Sequence, residues 1–419
     1  MRLWVAGLLA VFAFGTRPAR AHLVYELSPL VGAGATDNVT PGPDANAPDE
    51  HFADGFVQVS AVGRARYQAR LSEYALGYRI MLTRYARESG LDTISQSLAA
   101  TSSLNLSGRV TLRLFANGEL TQTSSVGATP DPATVVPQGA VANGRPYYSL
   151  AATEDMAYAA TPRNTFGETL SFARIHFLDT DTNTGVPTTS VITGVLYGHR
   201  AQGREVYSLT AIMSDSIADA PPITAANTGP PDPLTTGNVF FGQLLAGWGH
   251  ELSPTWSTML QAGPAIIFKI DGPAVLSPAG LVAVNYARLP WFMSFTASQA
   301  PAPNLLIGQA TVTDQVIARI AMPLTRSEIA YVGGFGSYIY AREATEGGSL
   351  ARSYDQFQGG ASLFVRSPRS PISGALTYVA LTQRGSGTTQ SLAYQSVMLT
   401  IAGSFAWGPG TAPLFGGVL

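Results

Sequence analysis

The chain has no cysteine. Disulfides, thiolate metal sites and cysteine nucleophiles are excluded together, and so is a lipid anchor on an N-terminal cysteine of the mature chain. Charge is scarce. Only 12% of the 419 residues are Asp, Glu, Lys or Arg, against about 25% in soluble domains. The formal net charge is −2, so no bulk basic field points to nucleic acid. Long apolar runs are missing too: beyond residue 21 no stretch reaches the ~20 apolar residues of a membrane helix. No 3.6-residue period is sustained either. Few charges without long apolar runs exclude an ordinary soluble enzyme and a helical membrane protein alike.

What is present is alternation. Residues 238–267 read as one hairpin whose two runs flank a turn at Leu252, Ser253 and Pro254. Phe240, Leu244, Ala246 and Trp248 share one face of the first run, with Gln243 on the other; Trp256, Thr258 and Leu260 oppose Ser257 and Gln261 on the second. Each run is about 12 residues, longer than a soluble strand and matched to the ~9–11 residues of a tilted membrane-crossing strand. In 69–85, Tyr74, Leu76, Tyr78, Ile80 and Leu82 oppose Glu73, Ala75, Gly77, Arg79 and Thr83. In 109–123, Val110, Leu112, Leu114, Ala116 and Leu120 oppose Thr111, Arg113, Asn117 and Glu119. Run 166–178 is ambiguous, because Arg174 and His176 share a face with Phe172.

About 18 such runs (16 is the alternative) follow one another from 22–34 to 391–407, joined by connections that alternate in length. Long, polar connections such as 35–54, 124–145 and 215–237 exchange with tight turns near Gln68, Ser107-Gly108 and Ser253-Pro254. The expected fold is all-β: a transmembrane antiparallel up-and-down β-barrel over 22–407, with both termini periplasmic. Residues 1–21 read as a signal peptide, with Arg2, an apolar core from Leu3 to Phe14, and the cleavage pattern Ala19-Arg20-Ala21. Residues 408–419 read as a periplasmic tail. Tyr25, Tyr67, Tyr85, Tyr147, Trp248, Trp256, Trp291, Tyr340 and Trp407 lie near strand ends, as interfacial girdles do. The long connections collect most of the acids, Asp54, Asp92 and Asp215 among them, and read as a solvated rim.

No catalytic or metal-binding pattern emerges, and no cofactor is implied. The five histidines, His22, His51, His176, His199 and His250, are not at ligand spacing, and no zinc, calcium, phosphate-loop or nucleophile-elbow motif occurs. His51 beside Asp49 and Glu50 reads as a solvated loop residue. The residues placed to act are those expected to line a lumen: Arg64, Arg66, Glu73, Arg79, Arg113, Asn117, Glu119, Gln315 and Arg319. A ring of arginines facing a ring of acids would set a transverse field that filters solutes by charge; structural pairing is the alternative. Connections 124–145 and 215–237 are candidates for an inward constriction.

The mature start LVYELSPLVGAGATDNVTPGP and the hairpin GHELSPTWSTMLQAGPAI resemble the outer-membrane β-barrel porin family found beside exopolysaccharide gene clusters in Gram-negative bacteria. The resemblance implies a conduit for secreted polysaccharide working with a periplasmic polysaccharide-export protein. It transfers no catalytic residue. Barrels of this kind mostly end on an aromatic residue, whereas this chain continues past Trp407 as GPGTAPLFGGVL. Outer-membrane lipid, lipopolysaccharide and the barrel-assembly machinery are the other expected partners. A general diffusion porin and a plugged structural or adhesive barrel remain open alternatives.

Overall fold

The computed structural model describes residues 22–37, 53–87, 89, 92–122, 146–178, 188–201, 204–218, 238–269, 274–288, 291–304, 309–325, 329–343, 353–367, 370–385 and 392–407. Residues 1–21, 408–419 and His51 lie outside this set, as do most of the long connections. The described residues form eighteen antiparallel strands: β1 (His22–Thr36), β2 (Asp54–Gln68), β3 (Ser72–Tyr85), β4 (Thr93–Asn105), β5 (Val110–Gln122), β6 (Pro146–Ala159), β7 (Asn164–Phe177), β8 (Thr188–Arg200), β9 (Glu205–Ala218), β10 (Asn238–Glu251), β11 (Trp256–Lys269), β12 (Val275–Arg288), β13 (Trp291–Asn304), β14 (Gln309–Pro323), β15 (Ala330–Glu343), β16 (Ser353–Arg366), β17 (Ile372–Gly385) and β18 (Leu392–Gly403, resumed at Phe405–Trp407). There is no α-helix among them.

Each strand pairs with the next in sequence, and β18 pairs with β1, so the sheet is closed. Following the pairs once around the barrel returns to β1 displaced by about 22 residues, which with this strand count corresponds to a tilt of roughly 40°. An even displacement carries the inward face of β18 onto the inward face of β1. The seam has one lapse. Leu30 pairs with Ala402 and Leu27 with Phe405, but the ladder stops between them, where Pro29 has no N–H to donate. At the far end of the same seam the Gln395 amide donates to Asp37 Oδ1 at 2.6 Å.

Several tight turns share one local device. The hydroxyl of a Ser or Thr at the turn entry accepts backbone N–H bonds from residues two to five ahead: Ser107 from Arg109 and Val110, Thr161 from Arg163 and Asn164, Ser253 from Thr255 and Trp256, Thr325 from Ile329 and Ala330. Such side chains replace ladder bonds that the turning backbone cannot make.

Paired residues in an antiparallel ladder share a face, so the register assigns every strand position to the inside or the outside. The outward face is mostly apolar and exposed: Met213, Leu276, Val397, Leu399 and Ile401 are examples, with Leu276 at 75%, and Glu154 and Glu168 are exceptions on β6 and β7. An aromatic belt lies on this face near the short turns, through Tyr25, Tyr67, Tyr74, Tyr158, Tyr197, Tyr207, Trp248, Trp256, Tyr286, Trp291 and Trp407, and is interrupted over β14–β17. An apolar band edged by Tyr and Trp is a membrane-facing surface. Tyr85 and Tyr147 do not belong to the belt. Both face inward, and Tyr85 is buried against Phe56 with ring centroids 6.0 Å apart. Arg174 and His176 resolve the ambiguity of β7: their face is the outward one, close to the long connections, where His176 lies 5.1 Å from the Tyr148 ring.

An arginine at the middle of that outward band costs about 2–4 kcal/mol. Leu399→Arg, in an exposed position on β18, should therefore lower stability by that amount in urea titrations of lipid-embedded protein. Thr377→Arg, on the inward face of the neighbouring β17, should cost well under half as much. Equal losses would contradict the assignment of faces.

Candidate functional site

The inward face carries a cluster of charge on one wall. Arg64 and Arg66 of β2, Glu73 and Arg79 of β3, and Arg113, Asn117 and Glu119 of β5 all lie on it. Arg66 donates from Nε to Glu73 Oε1 at 2.7 Å. Both side chains of this pair are about 40% exposed, so solvent screening leaves it within roughly 0–1 kcal/mol. The other arginines have carboxylates as register neighbours: Arg64 stands opposite Glu26, Arg113 opposite Asp155, and Arg79 is separated from Glu119 by Ser97 alone. Arg79 and Glu119 interact electrostatically across that serine, and Arg79 Nη2 also reaches Met81 Sδ at 3.2 Å. Asp155 accepts from Thr169 Oγ1 at 2.7 Å. Arg64, Arg79 and Arg113 are all exposed to the lumen.

Seven of the nine residues expected to line a lumen thus form one arc on β2–β5. Gln315 and Arg319 face inward too, but from β14 on the opposite wall, opposite Ser298 and Ser294. The buried Gln315 Nε2 has no hydrogen-bond partner. Among the described residues no ring of arginines faces a ring of acids. The two signs interleave along one wall, so opposing charges neutralise one another over a few ångströms rather than across the bore. Sequence reading missed Glu26 and Asp155; their phase in the alternation was visible, but their cross-strand partners were not. It also misplaced Asp54, which is buried on the inward face of β2 and accepts the Arg87 amide at 3.0 and 3.2 Å. Asp54 is therefore a structural acid and not part of a solvated rim.

The wall is packed toward the long connections and open toward the short turns. Thr36, Gln58, Thr83, Thr188, Ser216, Thr311, Gln356 and Gln383 are buried inward-facing residues in the first region. Arg64, Arg113 and Phe292 are exposed in the second. One described element accounts for part of this. The β12–β13 ladder ends at Gly280 and Gln299, although β12 extends to Val275 and β13 to Asn304. Beyond that point β13 stays paired only with β14, as far as Asn304 and Gln309. Pro278, Pro301 and Pro303 supply no N–H here, which favours the separation. The freed hairpin tip approaches β10 and β11 across β12. Val312, on its outer side, joins Val239, Phe241 and Ile267 of the inner wall in a cluster with exposures of 7% or less. Thr311, Val312 and Thr313 are buried in succession. Since consecutive strand residues point to opposite sides, both faces of the tip are covered. The described part of the tip forms a second layer inside the barrel. The constriction expected of 124–145 lies outside the described residues, as does that of 219–237, and residues 215–218 belong to β9.

Among the described residues no group of His, Asp and Glu could hold a metal ion. His199 Nδ1 lies 2.7 Å from Asn164 Oδ1. His250 stacks on Trp248 at 5.6 Å with Glu205 at 3.9 Å. Both histidines are on the outward face near the short turns.

No family model matches the chain, and no curated protein matches it. Solved structures do align along it. The siderophore receptor PirA from Pseudomonas aeruginosa shows 10% identity over 93% of this chain and 81% of its own, with a TM-score of 0.46. OpdO from the same organism shows 11% identity over 92% and 98%, again at 0.46. OccAB3 of Acinetobacter baumannii shows 10% identity over 93% and 100%, at 0.45. Values of this size carry no argument of their own, and the fold stands on the strand register. The resemblance to exopolysaccharide-associated barrels gains no support beyond the barrel architecture.

A charge placed in the apolar cluster should release the hairpin. Val312→Asp buries a carboxylate beside Val239, Phe241 and Ile267 with no cation in the cluster, a cost of several kcal/mol. Protease cleavage within 304–309 of the folded barrel should become at least tenfold faster. An unchanged rate would mean that the tip is held by something other than this packing.

Proposed function

We propose that the protein is an outer-membrane channel for passive diffusion of small hydrophilic solutes, with its short turns and both strand termini on the periplasmic side. The observation that carries this reading is the opposition of the two faces: an apolar, aromatic-edged exterior around an interior of Ser, Thr, Gln, Asn and Arg. A closed barrel of this strand number encloses a bore wider than its own side chains can fill. The exchange of long connections and tight turns supports the orientation. Outward charges lie toward the long connections (Arg84, Arg174, Asp215, Asp314, Asp355 and Arg384), near the short turns (Glu205 and Arg288) and between them (Glu154 and Glu168), and do not by themselves set it.

The interleaved wall sets the expected selectivity. Carboxylates beside Arg64, Arg79 and Arg113 hold the net field low, so the wild-type channel should discriminate weakly between anions and cations. In planar bilayers the purified protein should give ohmic currents. Arg79→Glu with Arg113→Glu should move the reversal potential in a KCl gradient clearly toward the cation limit. A reversal potential that ignores the double substitution would remove these side chains from the conduction path.

No structural observation favours a polysaccharide conduit or a periplasmic export partner, and the inward hairpin narrows the bore that a polymer would need. A strain lacking the gene should keep wild-type amounts of surface and secreted polysaccharide. A loss of polymer restored by the gene would reinstate the conduit.

A further inference from the structure

Opposite the charged arc, the inner wall changes character. Four aromatic residues of β13–β16 face inward: Phe292, Tyr331, Phe335 and Phe364. Phe292 is 41% exposed and the others are half-buried. An aromatic ring left facing an aqueous lumen gives up the burial that aromatic residues ordinarily gain. The register shows how the rings are set. Ala321, Gly333 and Ser362 stand side by side in one row, with Phe292 beside Ala321 and Thr377 beside Ser362. The row nearer the short turns holds Tyr331 and Phe364; the row nearer the long connections holds Arg319, Phe335 and Gly360. Small side chains therefore form a floor, with rings rising on three sides.

The floor is kept low. A Cβ at Gly333 would meet only Ser362 Oγ at 3.0 Å and Ile320 O at 3.8 Å, and Phe335 lies over Gly360, where a Cβ would touch its ring at 2.5 Å. Tyr331 and Phe335 are four residues apart on one strand, so the shelf between their rings is about 13 Å long at 3.3 Å per residue.

We propose that this shelf binds short neutral sugars during their passage, an inference that rests on the channel reading. A sugar ring has an apolar C–H face and a rim of hydroxyls. The shelf offers aromatic faces for the first. For the second, Ser294, Ser337, Gln358, Ser362 and Thr377 surround it with neutral donors and acceptors. Arg366 is already committed: it donates to Tyr331 Oη at 3.1 Å and lies 5.4 Å over the Tyr331 ring. It stiffens the edge of the shelf rather than waiting for an anion. A length of about 13 Å takes two to three linked hexoses at the ~5 Å that one sugar ring occupies, comparable to the spacing of stacked rings.

Calorimetric titration of the full chain, folded in detergent, tests the shelf independently of conduction. Glucose, maltose and maltotriose should bind with rising affinity that levels at maltotriose, while benzoate gives no saturable heat. Phe335→Ala with Phe364→Ala should weaken maltotriose at least tenfold. Gly333→Leu, which fills the floor and removes no ring, should do the same. Both variants are compared only in preparations that keep the heat-modifiable electrophoretic band of the folded barrel. Absence of maltotriose binding by the wild type overturns the proposal, as does benzoate binding that the same substitutions abolish. A barrel that conducts ions but binds no maltotriose overturns the shelf alone. One that binds maltotriose but carries no current upholds the shelf and overturns the channel reading.

Discussion

Sideways backbone pairing is the constraint on which the rest of the structure depends. In a membrane no water is available to the backbone, and each unpaired N–H or C=O costs several kcal/mol. A sheet satisfies that demand only by closing. Closure in turn requires neighbouring strands of similar length, an even stagger around the ring and a seam between the first and last strands. The strands here run mostly 13 to 15 residues, and their pairing carries β18 back to β1. Proline is tolerated where the ladder can lapse locally: opposite Gly403 at the seam, and at the end of β13, where the hairpin leaves its neighbour.

Once the exterior is given over to lipid, most of the charges lie in the interior or at the rims; Glu154, beside Leu114 and Leu170, and Glu168, beside Met156 and Val195, are the departures on the outward face. Interleaving acids with arginines on β1–β6 lets the wall stay hydrated and wide without a large net field. The opposite wall carries fewer charges, Arg319 and Arg366, and the β13–β14 tip adds a second layer beside it. The lumen is thus asymmetric in two directions at once: charged against aromatic across its width, and packed against open along its length. Solutes moving through it would meet different chemistry on either side of the same cross-section.

Much of the fold was legible because its two signals are local. Period-two alternation in 69–85 assigns Tyr78 and Arg79 to opposite faces without any knowledge of neighbours. The exchange of long and short connections orders the strands. Facing was legible for the lumen candidates for the same reason: Arg113 and Glu119 are in phase with each other and out of phase with Leu114. One failure was local: Tyr85 sits at a strand end, where a girdle is expected, but its phase with Arg79 and Thr83 already turned it inward, and Tyr147 likewise faces inward. The other failures were non-local. Asp54 follows a run of loop acids and becomes a strand residue only through its pairing with Thr36. The Pro-rich stretch around Pro301 and Pro303 reads as a connection, because nothing in it reveals that Val312 has partners on β10 and β11. The aromatic shelf is invisible for a similar reason: its floor and walls come from four strands.

The interrupted seam has a consequence for how the barrel is made. Its strands are the pair farthest apart along the chain, with Asp37 and Gln395 separated by 358 positions in sequence, so this is the junction whose closure forfeits the most chain entropy. The Pro29 lapse divides it into a long zipper near the long connections and a three-residue clasp at Tyr25–Leu27. Closure at this junction is therefore a two-point fastening. The zipper, anchored by Asp37, can seat while the clasp beside Trp407 still stands ajar, leaving the first and last strands edge to edge over three residues at the short-turn rim.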